Sequence, residues 1–302
     1  MISTRPINGV MPVLQTPINK SGDVDEVSLQ KILNFLLKKK IAGLWVLGTG
    51  SEDMNLTFNE RLRVANVVCN FVKGRIPIVL GAGFFALKDI YSFMDETSHL
   101  NFDSYHVMPY HPLLSQNRLK KFYESIANYA IKPLWLYYSS NWSIELQTDL
   151  IKELKNHKNI TGIKYSSKDT VKQLNVISLS EDKFQVITAV ATQFFASLSL
   201  GVKGATSSIA SCLPEQLQRI YNHHQKGEYT KSLNEQRKLN LFLSEIPKSL
   251  KDDNFLGAAE EKVILNYRKL CEKFTSNYYR DANTIEEKKI IKALKKYKLF
   301  DI

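Results

Sequence analysis

Three short apolar runs end in residues whose chemistry is complementary, and together these residues could bind and activate a small oxo acid. Lys164 follows the apolar residues 160–163, Tyr137 ends the run at 133–136, and a hydroxyl-bearing turn at 48–52 follows the run at 44–47. A lysine walled in by apolar side chains loses its proton readily, and the free amine is a nucleophile for a ketone. The resulting iminium ion withdraws electrons from a neighbouring carbon–carbon bond, so that bond breaks or forms through an enamine.

The two other segments supply what such a lysine needs. Tyr137 offers a phenol that could move protons at each step. Thr49, Gly50 and Ser51 offer hydroxyls and backbone N–H groups that could bind a carboxylate, and Glu52 ends the same turn. Each of these residues alone is more often structural. Their joint occurrence after the second, fifth and sixth apolar runs predicts a class I aldolase that acts on a 2-oxo acid.

The elements that must position these residues follow a regular alternation. Eight strand-like runs alternate with segments of helical period, which predicts a closed parallel (β/α)8 TIM barrel with the reactive groups at the C-terminal strand ends. The runs are at residues 9–14, 43–47, 76–80, 104–109, 133–138, 159–167, 184–190 and 202–208. The intervening helices are predicted at 23–40, 59–73 (after the capping candidate Thr57), 116–130, 144–155, 171–179 and 192–201. The alternative is a doubly wound open sheet, but Gly81-Ala82-Gly83 lacks the third glycine and acidic partner of its phosphate-binding turn.

The last third of the chain reads as helix without strands. Helices are predicted at 215–224, 227–243, 258–273 and 284–297. We therefore expect residues 1–212 to form the barrel and residues 213–302 to form a C-terminal helical extension packed on it, as one structural unit.

Composition and charge exclude several classes of protein. The 302 residues carry a formal net charge of +11, which could indicate a nucleic-acid partner. The excess is mostly dispersed lysine, and the local cluster at 288–298 overlies the apolar stripe of Ile290, Leu294 and neighbours, so a solvated surface is predicted instead. No apolar stretch is long enough to span a bilayer. The prediction is therefore a protein that binds neither nucleic acid nor membranes.

The cysteines and the first residues of the sequence indicate in which cellular compartment the protein is expected. Cys69, Cys212 and Cys271 are odd in number and far apart, which favours a reducing compartment over a disulfide framework. Residues 1–6 lack the apolar core of a signal peptide. Both observations predict a cytoplasmic location.

The histidines give no metal signature. His106 and His111 flank a strand end, and His223 and His224 lie in a predicted helix. A metal-dependent aldolase would need several histidine and carboxylate ligands at one site. The sequence therefore predicts no metal and no cofactor, only a covalent imine through Lys164.

Several segments resemble the dihydrodipicolinate synthase and N-acetylneuraminate lyase family of pyruvate-dependent barrel aldolases. The turn at 48–52 is similar to the family's Gly-Thr/Ser-Thr-Gly-Glu turn, and Gly162-Ile163-Lys164 to its Schiff-base segment. Leu136-Tyr137 corresponds to the start of its Tyr-Asn-x-Pro motif. Residues 107–111 resemble its Thr-Pro-Tyr-Tyr segment, and residues 204–208, which include Thr206, resemble its pocket-lining eighth strand. The match covers about residues 9–214.

The resemblance implies roles for these residues. Lys164 would carry the imine and Tyr137 would be the acid/base, while Thr49, Gly50, Ser51 and Thr206 would contact substrate. Tyr110 and His111 would serve a proton relay or a subunit contact. The family implies pyruvate as donor with an aldehyde partner, no metal, and assembly as a homotetramer or homodimer.

The chain also departs from the family pattern. Gly50 replaces the second hydroxyl residue of the carboxylate turn, and Ser51 replaces the following glycine. Where the synthase has an asparagine, a proline and a carboxylate-binding arginine, this chain has Tyr138, Ser140, Asn141 and Trp142, which argues against a true dihydrodipicolinate synthase. His111 replaces the second tyrosine of the pair. Ala189-Val190-Ala191 replaces a Gly-x-Asp segment and removes a polar sugar contact.

The first hypothesis is a lyase or aldolase for a pyruvate-derived 4-hydroxy-2-oxo acid, such as a 2-keto-3-deoxy sugar acid or a sialic-acid-like substrate. The second keeps Lys164 but makes the protein a 4-hydroxy-tetrahydrodipicolinate synthase-like enzyme or a dehydratase. A third is a barrel that binds an oxo acid without turnover.

Overall fold

The computed structural model describes residues 5–111, 114–254 and 257–300. Eight strands alternate with helices through the first two thirds of these residues. The strands are β1 (Gly9–Pro12), β2 (Leu44–Val46), β3 (Ile78–Gly81), β4 (Ser104–Val107), β5 (Leu134–Ser139), β6 (Ile160–Ser166), β7 (Gln185–Thr188) and β8 (Gly204–Ser207). The helices between them are α1 (Glu26–Leu37), α2 (Phe58–Val72), α3 (Leu87–Thr97), α4 (Gln116–Tyr129), α5 (Thr148–Leu154), α6 (Thr170–Ile177) and α7 (Phe194–Ser199).

The strands form one parallel sheet that closes on itself. Their order is β1-β8-β7-β6-β5-β4-β3-β2, with every neighbouring pair parallel. A parallel bridge between Val13 and Trp45 joins the two ends of this order, and the Leu14 N–H donates to the Trp45 carbonyl at 2.9 Å. The predicted (β/α)8 TIM barrel is confirmed, and the open-sheet alternative is wrong.

Large side chains fill the inside of the barrel. Met11, Trp45, Val79, Trp135 and Ile187 form a buried cluster there, which also includes Tyr137. His106 stacks on Trp45 with 4.2 Å between ring centroids, and desolvation lowers the pKa of this histidine well below its ordinary value. Above this packed floor, a cavity opens at the C-terminal ends of the strands.

The C-terminal helices are α8 (Ile209–Cys212), α9 (Pro214–Gln225), α10 (Tyr229–Glu245), α11 (Lys248–Asp252), α12 (Ala258–Tyr267) and α13 (Thr284–Tyr297). Helix α9 contacts β1 and α10, while α12 lies against α8 and α13. The division of the chain at residue 212 stays a prediction. None of the helices in the described ranges combines the length and apolar character needed to cross a membrane.

The structure corrects several helix predictions. Helix α3 was not predicted, nor were the short helices α8 and α11, and the helix predicted at 258–273 ends at Tyr267. The helix predicted from residue 144 begins at Thr148. The helix predicted from residue 192 starts with a 3-10 turn, Ala191–Gln193. Thr57 does cap α2: its hydroxyl accepts from the Glu60 N–H, and the Glu60 carboxylate accepts from the Thr57 N–H.

Candidate active site

A cavity of about 270 Å³ opens at the C-terminal ends of the strands. Lys164, Tyr137, Thr49, Gly50 and Thr206, all singled out from the sequence, share this cavity. Its other lining residues are Val13, Ser139, Ser140, Asn141, Ser166, Lys168, Ala189, Val190, Ala191, Thr192, Ser207, Ser208, Ile209, Leu243, Gly257, Glu260 and Glu261.

Lys164 lies inside β6 and is only 4% exposed. Burial of the ammonium form lowers the pKa of Lys164 to about 7, although the charge of Asp53 acts in the opposite direction. Close packing beneath the lysine requires Gly162, because a Cβ atom there would lie 2.7 Å from Trp135 Cζ3 and 2.7 Å from the Gln185 carbonyl oxygen. The amine is therefore held in a water-poor site where a large fraction of it is uncharged at neutral pH.

Tyr137 lies directly opposite Lys164 in the β5–β6 register. Its Oη atom is 2.7 Å from Lys164 Nζ and 2.7 Å from Thr49 Oγ1. Burial raises the pKa of Tyr137, so the group stays a phenol at neutral pH. The Tyr123 hydroxyl, which donates to the Tyr137 carbonyl at 3.2 Å, fixes the backbone behind it. Amine, phenol and threonine hydroxyl thus form a continuous hydrogen-bonded row.

The turn after β2 presents Thr49 and Gly50 to the cavity but keeps Ser51 beneath it. The Ser51 hydroxyl and backbone N–H both donate to the Gly48 carbonyl, at 2.7 and 2.8 Å. Ser51 is fully buried and is absent from the cavity lining. Its donors therefore stabilise the turn, and its role as a substrate contact stays a prediction.

Thr206 reaches the cavity from β8. The residue is 0% exposed to bulk solvent, and its Oγ1 atom has no hydrogen-bond partner within the described parts of the chain. A buried hydroxyl without a partner is costly, so a ligand in the cavity would gain by bonding to it. This placement agrees with its predicted role as a substrate contact.

Glu52 turns away from the cavity although it ends the same turn. Its backbone is left-handed (φ 64°), and its carboxylate accepts from the Ser276 N–H at 2.7 Å. Lys262 Nζ lies 3.0 Å from the other carboxylate oxygen, and both side chains are almost completely buried. Glu52 therefore ties the turn to helix α12 and the segment that follows it.

Tyr110 and His111 lie outside the cavity. The Tyr110 hydroxyl donates to Asp53 Oδ2 at 2.9 Å, and Arg61 Nη1 is 3.8 Å from the same oxygen. Burial raises the pKa of Asp53, and Arg61 opposes this shift. The His111 ring bonds to the Phe85 carbonyl at 2.9 Å. No hydrogen bond joins either residue to Tyr137 among the described residues, so a relay through them stays a prediction.

Gln15, Glu260 and Glu261 are polar residues of the site that were not selected from the sequence. Gln15 Nε2 donates to the Gly50 carbonyl at 2.6 Å and to Glu261 Oε2 at 2.5 Å. Glu260 and Glu261 line the same wall, where burial raises the pKa of Glu260 to about 7 and that of Glu261 well above its ordinary value. Ser208 follows β8 and also lines the cavity. The consecutive acidic residues within the apolar segment 258–265 were the available signal for the two glutamates, and Ser208 belongs to the segment 204–208 that resembles the pocket-lining eighth strand.

The outer part of the cavity is rich in hydroxyl and amide groups. Ser139, Ser140, Asn141, Ser166 and Thr192 line it, and no arginine occurs among the lining residues that the structure describes. Trp142 packs against the aromatic cluster inside the barrel. The polar groups here could hydrogen-bond hydroxyl groups of a ligand, while Lys168 adds a cation to the same lining.

Candidate metal ligands do not cluster in the parts of the chain that the structure describes. In the ranges 5–111, 114–254 and 257–300, no group of three or more His, Cys, Asp and Glu residues is arranged to hold a metal ion. What the cavity offers is a neutral amine, a phenol and hydrogen-bond donors for an anion.

Comparisons with known proteins agree with this geometry. The model of the dihydrodipicolinate synthetase family matches residues 6–258. A 4-hydroxy-tetrahydrodipicolinate synthase from Karelsulcia muelleri (strain GWSS) is 28% identical over 288 residues, which cover 93% of this chain and 95% of the relative.

Solved structures share the fold. The dihydrodipicolinate synthase from Bacteroides thetaiotaomicron superimposes with a TM-score of 0.90 at 22% identity, covering 96% of this chain and 99% of the other. The N-acetylneuraminate lyase from Mycoplasma synoviae has a TM-score of 0.85 at 21% identity, with 96% and 98% covered.

Proposed function

This chain belongs to the dihydrodipicolinate synthetase family, whose members are pyruvate-dependent class I aldolases and lyases, and we propose that it cleaves or forms a 4-hydroxy-2-oxo acid through an imine on Lys164. The observation that carries the proposal is the hydrogen-bonded row of Lys164, Tyr137 and Thr49 at the base of the cavity. It combines a nucleophile, a proton carrier and an anion-binding turn.

The first step is imine formation. The substrate carboxylate binds the Thr49 hydroxyl and the N–H groups at Thr49 and Gly50, which brings the ketone to Lys164 Nζ. The amine lone pair attacks the carbonyl carbon, the oxygen takes a proton from Tyr137, and the resulting phenolate takes the surplus proton from the attacking nitrogen. The carbinolamine hydroxyl then takes a second proton from Tyr137 and leaves as water, so that a protonated imine and the Tyr137 phenolate remain.

The imine next accepts electrons from the substrate. In cleavage, the Tyr137 phenolate removes the proton of the 4-hydroxyl group and the carbon–carbon bond breaks. Its electron pair forms the enamine double bond, while the electron pair of the C=N bond moves to nitrogen. The aldehyde leaves, the enamine carbon takes a proton, and water hydrolyses the imine to release pyruvate and regenerate Lys164. Condensation is the reverse. Tyr137 is the group placed to carry these protons, because its Oη lies within hydrogen-bonding distance of the nitrogen.

The acceptor end favours an uncharged, hydroxyl-bearing aldehyde. Ser139, Ser140 and Asn141 offer neutral donors and acceptors there, and no arginine occurs among the lining residues that the structure describes. This supports a 2-keto-3-deoxy sugar acid or a sialic-acid-like substrate as the finer assignment.

A second candidate is condensation of pyruvate with an amino-acid-derived aldehyde, as in a 4-hydroxy-tetrahydrodipicolinate synthase. It is favoured by the name of the Karelsulcia relative. A dehydratase that uses the same imine, and a barrel that binds an oxo acid without turnover, are further alternatives.

Product analysis separates these candidates. The protein is incubated with pyruvate and a panel of aldehydes, and with 3-deoxy-2-oxo sugar acids, and products are identified by mass spectrometry. Pyruvate release from a sugar acid supports the first proposal, whereas products only with an aldehyde that carries a carboxylate support the second. Pyruvate binding without imine or product would refute both, and Lys164→Arg is the control for background reaction.

We also propose a cytoplasmic location and assembly as a homotetramer or homodimer. The assembly follows from the family resemblance, and the location from cysteine usage. Sedimentation of the purified protein tests the assembly.

A further inference from the structure

Gly50 and Ser208 are sterically matched across the cavity wall. A Cβ atom at position 50 would lie 2.8 Å from Ser208 Cβ and 3.3 Å from Ser208 Oγ. Any side chain at position 50 would therefore collide with Ser208 unless the backbone moved. The turn has lost its second hydroxyl residue at the same place where β8 brings another hydroxyl.

Ser208 lies beside buried polar groups. Its side chain lowers the pKa of the Glu261 carboxyl group, which accepts a hydrogen bond from Gln15 Nε2. The two Nε2 protons of Gln15 are both used, one on Glu261 and one on the Gly50 carbonyl. Gln15 thus links the backbone of the carboxylate turn to the carboxyl group beside Ser208.

Ser208 is also open toward the ligand. It is only partly buried and lines the cavity together with Gly50, Thr49 and Thr206. A serine hydroxyl both accepts and donates. When Glu261 is protonated, its O–H can donate to Ser208 Oγ, and the serine proton is then available to an anion in the cavity.

We propose that Ser208 supplies the hydroxyl that Gly50 lacks and binds the substrate carboxylate, with Gln15 and Glu261 as its positioning residues. The proposal rests on the proposed function, because it assigns a contact to the same 2-oxo acid. In this proposal, the hydroxyl that the family pattern has in the turn after β2 is supplied instead by a residue at the end of β8.

The protonation of Glu261 agrees with this arrangement. Burial, the neighbouring Glu260 on α12 and Glu52 in the turn after β2 all raise its pKa, while Ser208 after β8 and Gln15 after β1 lower it. The Cys212 thiol on α8 also lies near, and desolvation with the Glu261 charge raises its pKa. An uncharged Glu261 does not repel the carboxylate that Ser208 binds.

The test measures carboxylate binding apart from imine formation. Lactate carries the carboxylate but no ketone, so its binding to wild type and to Ser208→Ala by calorimetry reports the contact alone. We expect the dissociation constant to rise about tenfold or more, as for a lost hydrogen bond to a charged group. Methyl pyruvate, which lacks the charge, should label Lys164 equally in both proteins under borohydride.

A paired substitution tests the steric match. Gly50→Thr alone should weaken lactate binding because its side chain collides with Ser208, and Gly50→Thr with Ser208→Gly should recover it. Thermal melting verifies that each variant is folded. Equal lactate affinity in wild type and Ser208→Ala would overturn the proposal even if the imine forms. If lactate binding depends on Ser208 but pyruvate forms no imine, the proposed function fails and the contact stands.

Discussion

Lys164 Nζ and Tyr137 Oη lie 2.7 Å apart on directly paired positions of two neighbouring strands. Both groups are buried, and burial shifts their pKa values in opposite directions: that of the amine falls to about 7 and that of the phenol rises. The uncharged form of each is therefore favoured. A neutral amine beside a neutral phenol is the combination needed to attack a ketone and protonate its oxygen.

Removing the Tyr137 hydroxyl should slow the reaction much more than it weakens binding. We expect Tyr137→Phe to lower the rate of imine formation and turnover by about 10² to 10⁴, the usual contribution of general acid–base catalysis. Stopped-flow and steady-state kinetics measure both. Tyr138→Phe is the matched control, because Tyr138 packs against Tyr165 with tilted rings and does not line the cavity. Unchanged kinetics in Tyr137→Phe would contradict the role.

The rate of imine formation should rise with pH through neutrality. Only the free amine attacks, and the pKa of Lys164 is lowered by burial from 10.5 to about 7. Initial rates at low pyruvate concentration should therefore reach half their maximum near pH 7. The pKa of Glu260 is also raised to about 7, so Glu260→Gln is the control: the rate of imine formation in this variant should still rise with pH around pH 7. A midpoint near 10.5 in wild type would show that the lysine is solvated.

The lowered pKa also means that Lys164 destabilises the folded state, most strongly below pH 7. Between pH 7 and 10.5 the unfolded chain binds the lysine proton and the folded chain does not, so the free energy of unfolding rises with pH in that window. At about pH 6 the full cost remains, and Lys164→Met should raise the free energy of unfolding by a few kcal/mol. The gain should shrink at about pH 9.5. Urea unfolding at the two pH values measures it, and a destabilised Lys164→Met at both would contradict the prediction.

The ion pair behind the carboxylate turn should matter for stability. Glu52 and Lys262 are 3.0 Å apart and almost fully buried. Lys262→Met leaves a buried carboxylate unpaired, which should cost about 3–5 kcal/mol in the free energy of unfolding. Glu52→Gln combined with Lys262→Met should recover much of this loss. Equal destabilisation of the single and double variants in urea would rule out the pairing as its cause.

The sequence alone predicted the barrel and singled out Lys164, Tyr137 and Thr49, the residues of the hydrogen-bonded row. Strand alternation predicts eight units because parallel strands buried on both faces are continuous apolar runs. Helix α3 was missed since Ala86, at its N-terminal cap, has no side-chain group that bonds the first turn. Nothing in the local sequence marks that start.

The site was less predictable where side chains meet from distant parts of the chain. Ser51 has the right chemistry, but its hydroxyl folds back to the Gly48 carbonyl. Glu261 lies 246 residues from its partner Gln15, and no local pattern relates them. The family resemblance is confirmed by the match over residues 6–258. The residues at the end of the cavity where the aldehyde would bind differ from the family pattern. The resemblance therefore identified no residue that contacts the aldehyde.

The most direct test of the central claim is reductive trapping. Wild-type protein is treated with borohydride in the presence of pyruvate, digested, and mapped by mass spectrometry, with Lys164→Arg and a pyruvate-free sample as controls. The account predicts one reduced pyruvate on the peptide that contains Lys164 and none in either control. Adducts spread over surface lysines, or no adduct on that peptide while pyruvate binds, would contradict it.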